Sequence, residues 1–278
     1  MKILVTGANG QLGTELQPLL DPHDVVAVDL PELDITDRAL VLGAMHDIGP
    51  DVVINCAAMT AVDDCETKVD LAYNVNAMAV RHIAEGCRAV GAHLTTISTD
   101  YVFDGSKEGA YVEWDTPNPV SVYGRSKLAG EIEAGPEATI VRTAWVCGEF
   151  GHNMVKTILR LLGENDTLTF VNDQVGHPTI VSDLAPVVRD LAISKRPGLF
   201  HVTNQGAVSW FEFAREVAKA SGADPERVQP CTTDELPYSY PAPRPANSVL
   251  DNMAMRLSGL PETRDFREPL AELVAKLI

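Results

Sequence analysis

Residues 2–13 read KILVTGANGQLG: a short β-branched run that breaks directly into three glycines, Gly7, Gly10 and Gly13. A buried strand followed by a tight turn and a helix start explains the order. Leu12, Leu16, Leu19 and Leu20 then fall on one helical face. Glycines at such a turn let the backbone approach a pyrophosphate closely and let the helix pack tightly on the strand. The free amides and dipole of the helix N-terminus favour the negative charge. The spacing is G-x-x-G-x-x-G, not the commoner G-x-G-x-x-G. What supports a dinucleotide site over a merely structural turn is the context, since the loop opens a helix straight after the first strand.

Outward from this loop the chain alternates. Strand-like runs occur at 25–29 (VVAVD), 52–56 (VVINC), 94–98 (LTTIS) and 139–143 (TIVRT), with helical patterns between them, including an Ala-rich stretch from Leu71 to Val90. The runs are almost continuously apolar, as strands covered on both faces are. They predict an α/β fold: a doubly wound Rossmann-type parallel sheet with a smaller C-terminal substrate lobe. The expected division is 1–145 for dinucleotide binding and 146–278 mainly for substrate. A strand at 199–203 (LFHVT) is expected to rejoin the main sheet. A helix is predicted over 153–162 and another from near Ser182. Ser209 and Glu212 fit a capping box. The proline-rich segment 236–248 cannot be regular helix or central strand, and reads as a linker or as a strap over a surface.

The composition narrows the partners. The chain has 278 residues, 45% of them hydrophobic, enough for a full core. Its net charge of −17 repels phosphates, which disfavours nucleic acid and anionic membrane as partners. Any anionic ligand must then be met by local amides or arginines. No apolar run approaches the roughly 20 residues of a membrane span, and the first residues do not resemble a signal peptide. A cytoplasmic protein is expected. The five cysteines contain no C-x-x-C, and the histidines form no H-x-x-x-H, so no metal site is expected. A homodimer is compatible with all this and required by none of it.

Asp29 ends the second strand. A carboxylate there hydrogen-bonds an adenosine ribose and disfavours a 2′-phosphate, so NADH is slightly favoured over NADPH. Capping the strand is the other reading. Asp34 is a second candidate, for the adenine end or as N-cap of the next helix, a role Thr36 also fits. Residues 121–131 (SVYGRSKLAGE) place Tyr123 and Lys127 one helical turn apart. An ammonium beside a phenol favours its anionic form, and such a tyrosine can protonate a carbonyl oxygen while a dinucleotide delivers hydride. At the end of the fourth strand, Ser98 and Thr99 offer hydroxyls and Asp100 a carboxylate, where ligands sit in open α/β sheets.

TGANGQLG, VVINCAAMTAVDDCE, STDYVFDG and VYGRSKLAGE together resemble the extended short-chain dehydrogenase/reductases. RTAWV (142–146), DQVGHPT (173–179) and PRPANS (243–248) are similar to one branch, the dTDP-4-dehydrorhamnose reductases, and the match runs beyond residue 250. The resemblance implies NAD(P)H-dependent reduction of the C4 keto group of dTDP-4-dehydro-6-deoxy-L-mannose. It implies that Gly10, Gln11 and Leu12 contact the pyrophosphate and that Asp29, Asp34 and Ile35 meet the adenosine. Ala58, Met59, Thr60 and Ile97 would line the cofactor. Tyr123 would donate the proton, Lys127 would bind the nicotinamide ribose and tune Tyr123, and Thr99 would tune it further. Thr99, Asp100 and Trp145 would face the sugar, with Arg244 on the nucleotide diphosphate. Trp145 also reads as a core aromatic, Arg244 as a partner for surface acids, and DQVGHPT as a turn. Thr99 stands where many members of the superfamily carry serine, and Met59 where an aromatic or histidine is frequent. Other readings of the same frame are a different nucleotide-sugar reductase or epimerase, and a non-catalytic regulatory subunit.

Overall fold

A computed structural model describes residues 1–278. Six parallel strands form the central sheet: β1 (Lys2–Thr6), β2 (Asp24–Val28), β3 (Val52–Asn55), β4 (His93–Thr99), β5 (Thr139–Thr143) and β6 (Gly198–His201). Their spatial order is β2-β1-β3-β4-β5-β6. The chain therefore reverses its direction of growth between β1 and β3, and a crevice opens outside the carboxyl ends of these two strands. The β6 strand extends the sheet beyond β5, as LFHVT predicts.

Each face of the sheet has its own core. On one side Ile3, Val5, Ile54 and Val141 pack under the helices Gln11–Leu19 and Val181–Ile193. On the other side Leu4, Val53 and Leu94 pack under Arg38–Ile48 and Ala79–Val90. Burial on both faces explains why the strands read as continuous apolar runs. A third core joins the helices Met154–Glu164, Trp210–Ala220 and Arg267–Leu277 around Ile158, Phe213 and Phe266. The capping box at Ser209 and Glu212 is formed. No helix is long and apolar enough to cross a membrane.

The second half of the chain does not stay in the lobe. Val181, Leu184 and Val188 return to the sheet core, as do Phe200, Ala254 and Met255. The proline-rich segment forms no regular element. It crosses from the Ala242 amide, which donates to Asp63 at 3.1 Å, to Ser248, whose amide donates to the Val175 carbonyl at 2.8 Å. It is a strap across one end of the crevice.

The stretch from Leu71 to Val90 is helical, but between Ala-rich turns it passes through a π-helical turn, Asn74–Met78. The widened turn carries Asn76, which is buried. Its amide accepts from the Met59 N–H at 2.9 Å and donates to the Met59 carbonyl at 3.1 Å and to Ser126 Oγ at 3.0 Å. One side chain thus ties the loop after β3 to the helix that carries Tyr123.

Candidate active site

At the end of β1, Gly7 has φ +66°. A Cβ there would come within 2.5 Å of the Ala57 backbone nitrogen, and one on Gly13 within 2.3 Å of the Gly7 carbonyl oxygen. The loop is bare backbone because neighbouring backbone fills the space side chains would need. The helix Gln11–Leu19 starts at Gly10 with no side chain capping it and no acid in its first turn. Its leading amides and positive end are left for an anion, which fits a pyrophosphate.

Beside this loop a cavity of about 350 Å³ is lined by Gly7, Gly10, Asp29, Asp34, Ile35 and Ala58, and also by Cys56. Asp29 accepts the amides of Asn9 and Leu30, each at 2.9 Å. The carboxylate is pre-oriented at the rim of the cavity. Asp34 accepts the Thr36 amide at 2.9 Å and its hydroxyl at 2.7 Å, and these bonds hold its carboxyl below the ordinary range. Neither Asp34 nor Thr36 caps the next helix. Asp37 does, accepting from the Ala39 and Leu40 amides, because it alone sits immediately before the first helical turn.

A second cavity, of about 590 Å³, continues along the carboxyl ends of β3, β4 and β5. Gly10, Gln11 and Leu12 line one end of it, with Ala58 and Thr60. Ile97, Thr99, Asp100, Tyr123, Lys127 and Trp145 line the rest. The helix Val122–Ala134 starts here. Ser121 caps it by accepting from the Gly124 amide at 3.1 Å, and Glu66 accepts from the Val122 amide at 2.7 Å. Gly124 packs so closely on the loop after β4 that a Cβ would lie 2.1 Å from the Tyr101 carbonyl oxygen. This contact brings Tyr123 up to the end of β4, where Tyr101 packs edge-on against it at 5.6 Å.

Burial pushes the Tyr123 phenol well above its ordinary range, and the neighbouring Thr99 hydroxyl pulls it part of the way back. Lys127 is 5% exposed, and its ammonium donates to the Ile97 carbonyl at 2.7 Å. It makes no hydrogen bond to the phenol. The desolvated ammonium is satisfied instead by a backbone carbonyl near the end of β4. Burial lowers the Lys127 pKa to about 8, and the charge of Glu131 opposes that shift.

The two hydroxyls at the end of β4 separate. Ser98 donates to Glu131 at 2.5 Å, in a buried network where Arg142 grips the same carboxylate at 2.8 and 2.6 Å. Thr99 accepts the Tyr101 amide at 3.2 Å and donates to Asp100 at 2.9 Å. Asp100 is 2% exposed, and its other carboxylate oxygen has no hydrogen-bond partner. Burial raises its pKa to about 6, against the opposing effect of the nearby Ser248 and Thr99 hydroxyls.

Arg244 lies apart from this cluster. Its guanidinium forms a two-pronged pair with Asp63, at 2.6 and 2.9 Å, and sits 4.3 Å above the Tyr240 ring. Met59 packs in the small cluster of Cys65, Ala72, Val122 and Tyr123. No group of three or more His, Cys, Asp or Glu side chains is placed to hold a metal ion.

The cavity also contains residues that the sequence did not single out. Trp210 lines it and stacks on Trp145 at 3.5 Å. Gln11, already expected at the pyrophosphate, also accepts the Gly148 amide at 2.9 Å and an Asn153 amide hydrogen at 3.0 Å, so the glycine loop is bolted to the lobe. The only signal for Trp210 was an aromatic inside a capping box, and Asn76 gave none.

The whole chain, residues 1–278, matches the family described as "RmlD substrate binding domain". A dTDP-4-dehydrorhamnose reductase of Streptomyces griseus is 45% identical over 280 residues, covering 97% of this chain and 91% of the relative. A crystal structure of a dTDP-4-dehydrorhamnose reductase from Clostridium acetobutylicum superposes with a TM-score of 0.96 at 46% identity, covering 100% of this chain and 99% of that one. One from Bacillus anthracis, in complex with NADP, gives 0.94 at 38% identity, with 99% of both chains covered.

Proposed function

This chain belongs to the dTDP-4-dehydrorhamnose reductase family, and we propose that it reduces the C4 keto group of dTDP-4-dehydro-6-deoxy-L-mannose to give dTDP-L-rhamnose. One observation carries this reading. A single continuous cavity is lined at one end by the uncapped glycine-loop helix and at the other by Thr99, Tyr123 and Lys127.

A nicotinamide dinucleotide, when bound, supplies the hydride. Gly7, Gly10, Gln11, Leu12 and Gly13 form the pyrophosphate cradle. Asp29, Asp34 and Ile35 serve the adenosine end, and Ala58, Thr60 and Ile97 the inner wall, while Met59, packed beneath in the cluster with Tyr123, does not line either cavity. Lys127 holds the nicotinamide ribose. Tyr123 gives its proton to the sugar O4, and the neighbouring Thr99 hydroxyl eases the loss. Asp100 and Trp145 face the sugar. Arg244 meets the nucleotide diphosphate, a role that competes with Asp63 for the same guanidinium.

Asp29 favours NADH, since its carboxylate, held by the Asn9 and Leu30 amides at the cavity that would take the adenosine, would repel a 2′-phosphate. The NADP complex of the Bacillus anthracis relative is the reason to assay both coenzymes. The test is consumption of NADH and of NADPH in parallel, with dTDP-4-dehydro-6-deoxy-L-mannose as substrate. Stoichiometric oxidation of either coenzyme is expected. Turnover of the sugar without net oxidation would mark an epimerase. No turnover with either coenzyme would leave the regulatory-subunit reading.

A further inference from the structure

Trp145 holds its backbone at φ +46°, a region that bulky residues rarely enter unless their surroundings hold them there. The restraint comes from two sides. Its indole stacks on Trp210 with 7° between the planes. Gly176 presses on the same ring, so that a Cβ there would lie 2.7 Å from Cε2 and 2.9 Å from Nε1. The two restraints are coupled, because Gly176 pairs with Val208 in a short antiparallel bridge two residues before Trp210. The Thr179 amide also donates to the Trp145 carbonyl at 3.2 Å. The segment DQVGHPT therefore grips both the ring and the backbone of Trp145.

We propose that Gly176 and Trp210 are positioning residues that fix the Trp145 indole as one wall of the sugar pocket. DQVGHPT is then a holder for that wall, and the glycine is required because the indole fills the space of a side chain. This inference rests on the substrate assignment made above. The partly buried indole pair presents apolar area to the cavity, which suits a 6-deoxy sugar carrying a methyl group where other hexoses carry a hydroxyl.

The experiment compares Gly176→Ala, Trp210→Ala and Trp210→Phe with the parent chain. The chain has three tryptophans, and the one pair of them in contact is Trp145 and Trp210, so the tryptophan–tryptophan exciton couplet in the far ultraviolet reports that stack. Gly176→Ala and Trp210→Ala are expected to weaken or abolish the couplet. Both should raise KM for the nucleotide sugar by about tenfold, the scale of a lost aromatic contact, while KM for NADH stays put. Trp210→Phe is expected to recover most of the loss in KM. An unchanged couplet and KM in Gly176→Ala overturns the proposal, as does a Trp210→Phe variant no better than Trp210→Ala. Should Gly176→Ala fail to fold, the Trp210 pair decides. Should the parent chain fail to turn over the sugar, the substrate assignment falls, while the couplet still decides whether Gly176 sets the ring.

Discussion

Ser98 and Thr99 are neighbours at the end of β4 with side chains on opposite faces: both residues border the cavity, but the Ser98 hydroxyl is spent on Glu131 while the Thr99 hydroxyl lies beside Tyr123. Strand alternation forces this, since successive side chains point to opposite faces. It decides which hydroxyl is available to the reaction. Thr99→Val is expected to lower kcat by about two to three orders of magnitude, the effect of losing one oriented hydrogen bond in a catalytic site. Ser98→Ala should leave kcat near the parent value and cost about 1–3 kcal/mol of stability, because a buried bond to a carboxylate is lost. Thermal unfolding and steady-state rates on the two variants check this, and the reverse pattern would refute the assignment.

Tyr123→Phe removes the proton donor and leaves the ring in its cluster. Turnover is expected to fall by about 10²–10⁴-fold, the usual worth of a positioned acid. Coenzyme binding, followed by fluorescence of the bound nicotinamide, should change little. A variant that keeps most of its turnover would mean that another group delivers the proton.

Asp100 carries a stability cost that depends on pH. Its pKa is raised to about 6 in the folded chain, from an ordinary value of 3.8, so between these values the folded state holds a proton that the unfolded state has lost. Stability contributed by this group is therefore lost as pH rises from about 4 to 6, and the full cost stands above 6. A carboxyl displaced this far costs the folded chain about 3 kcal/mol at neutral pH. Asp100→Asn should raise the unfolding temperature at pH 7.5 and have little effect near pH 4, while KM for the sugar rises. Equal stabilisation at both pH values would contradict this account.

Asp29 bears on coenzyme choice. Asp29→Ser takes away a carboxylate that would repel a 2′-phosphate, while a hydroxyl can still accept the Asn9 amide. The ratio of kcat/KM for NADPH over NADH is expected to rise by about tenfold, since the discrimination rests on one charge at short range. An unchanged ratio would move the determinant elsewhere in the loop.

The sheet was legible because its strands are buried on both faces and short: 2–6 and 139–143 coincide with β1 and β5, and the others shift by one or two residues at their ends. The glycine loop and the positions of Thr99, Tyr123 and Lys127 were legible for the same local reason, that spacing along one element fixes their face. What the sequence did not disclose is long-range. Lys127 is tied to a carbonyl thirty positions away in the chain, and Arg244 to an acid still more distant. Asn76 acts through a widened turn that apolar periodicity does not register. Trp210 drew attention only as part of a cap, because stacking partners leave no pattern within a single segment.

The returns of the C-terminal half to the sheet have a mechanical consequence. A fragment ending at residue 145 would lose the helix Val181–Ile193 from above Leu16 and Leu20, and would expose β5 as a raw edge. The two lobes are therefore interwoven, with no linker at which a protease could separate them into autonomous pieces. Heating should melt both in one cooperative transition, and opening of the cleft between them must come from flexing of shared segments, since neither half can swing free.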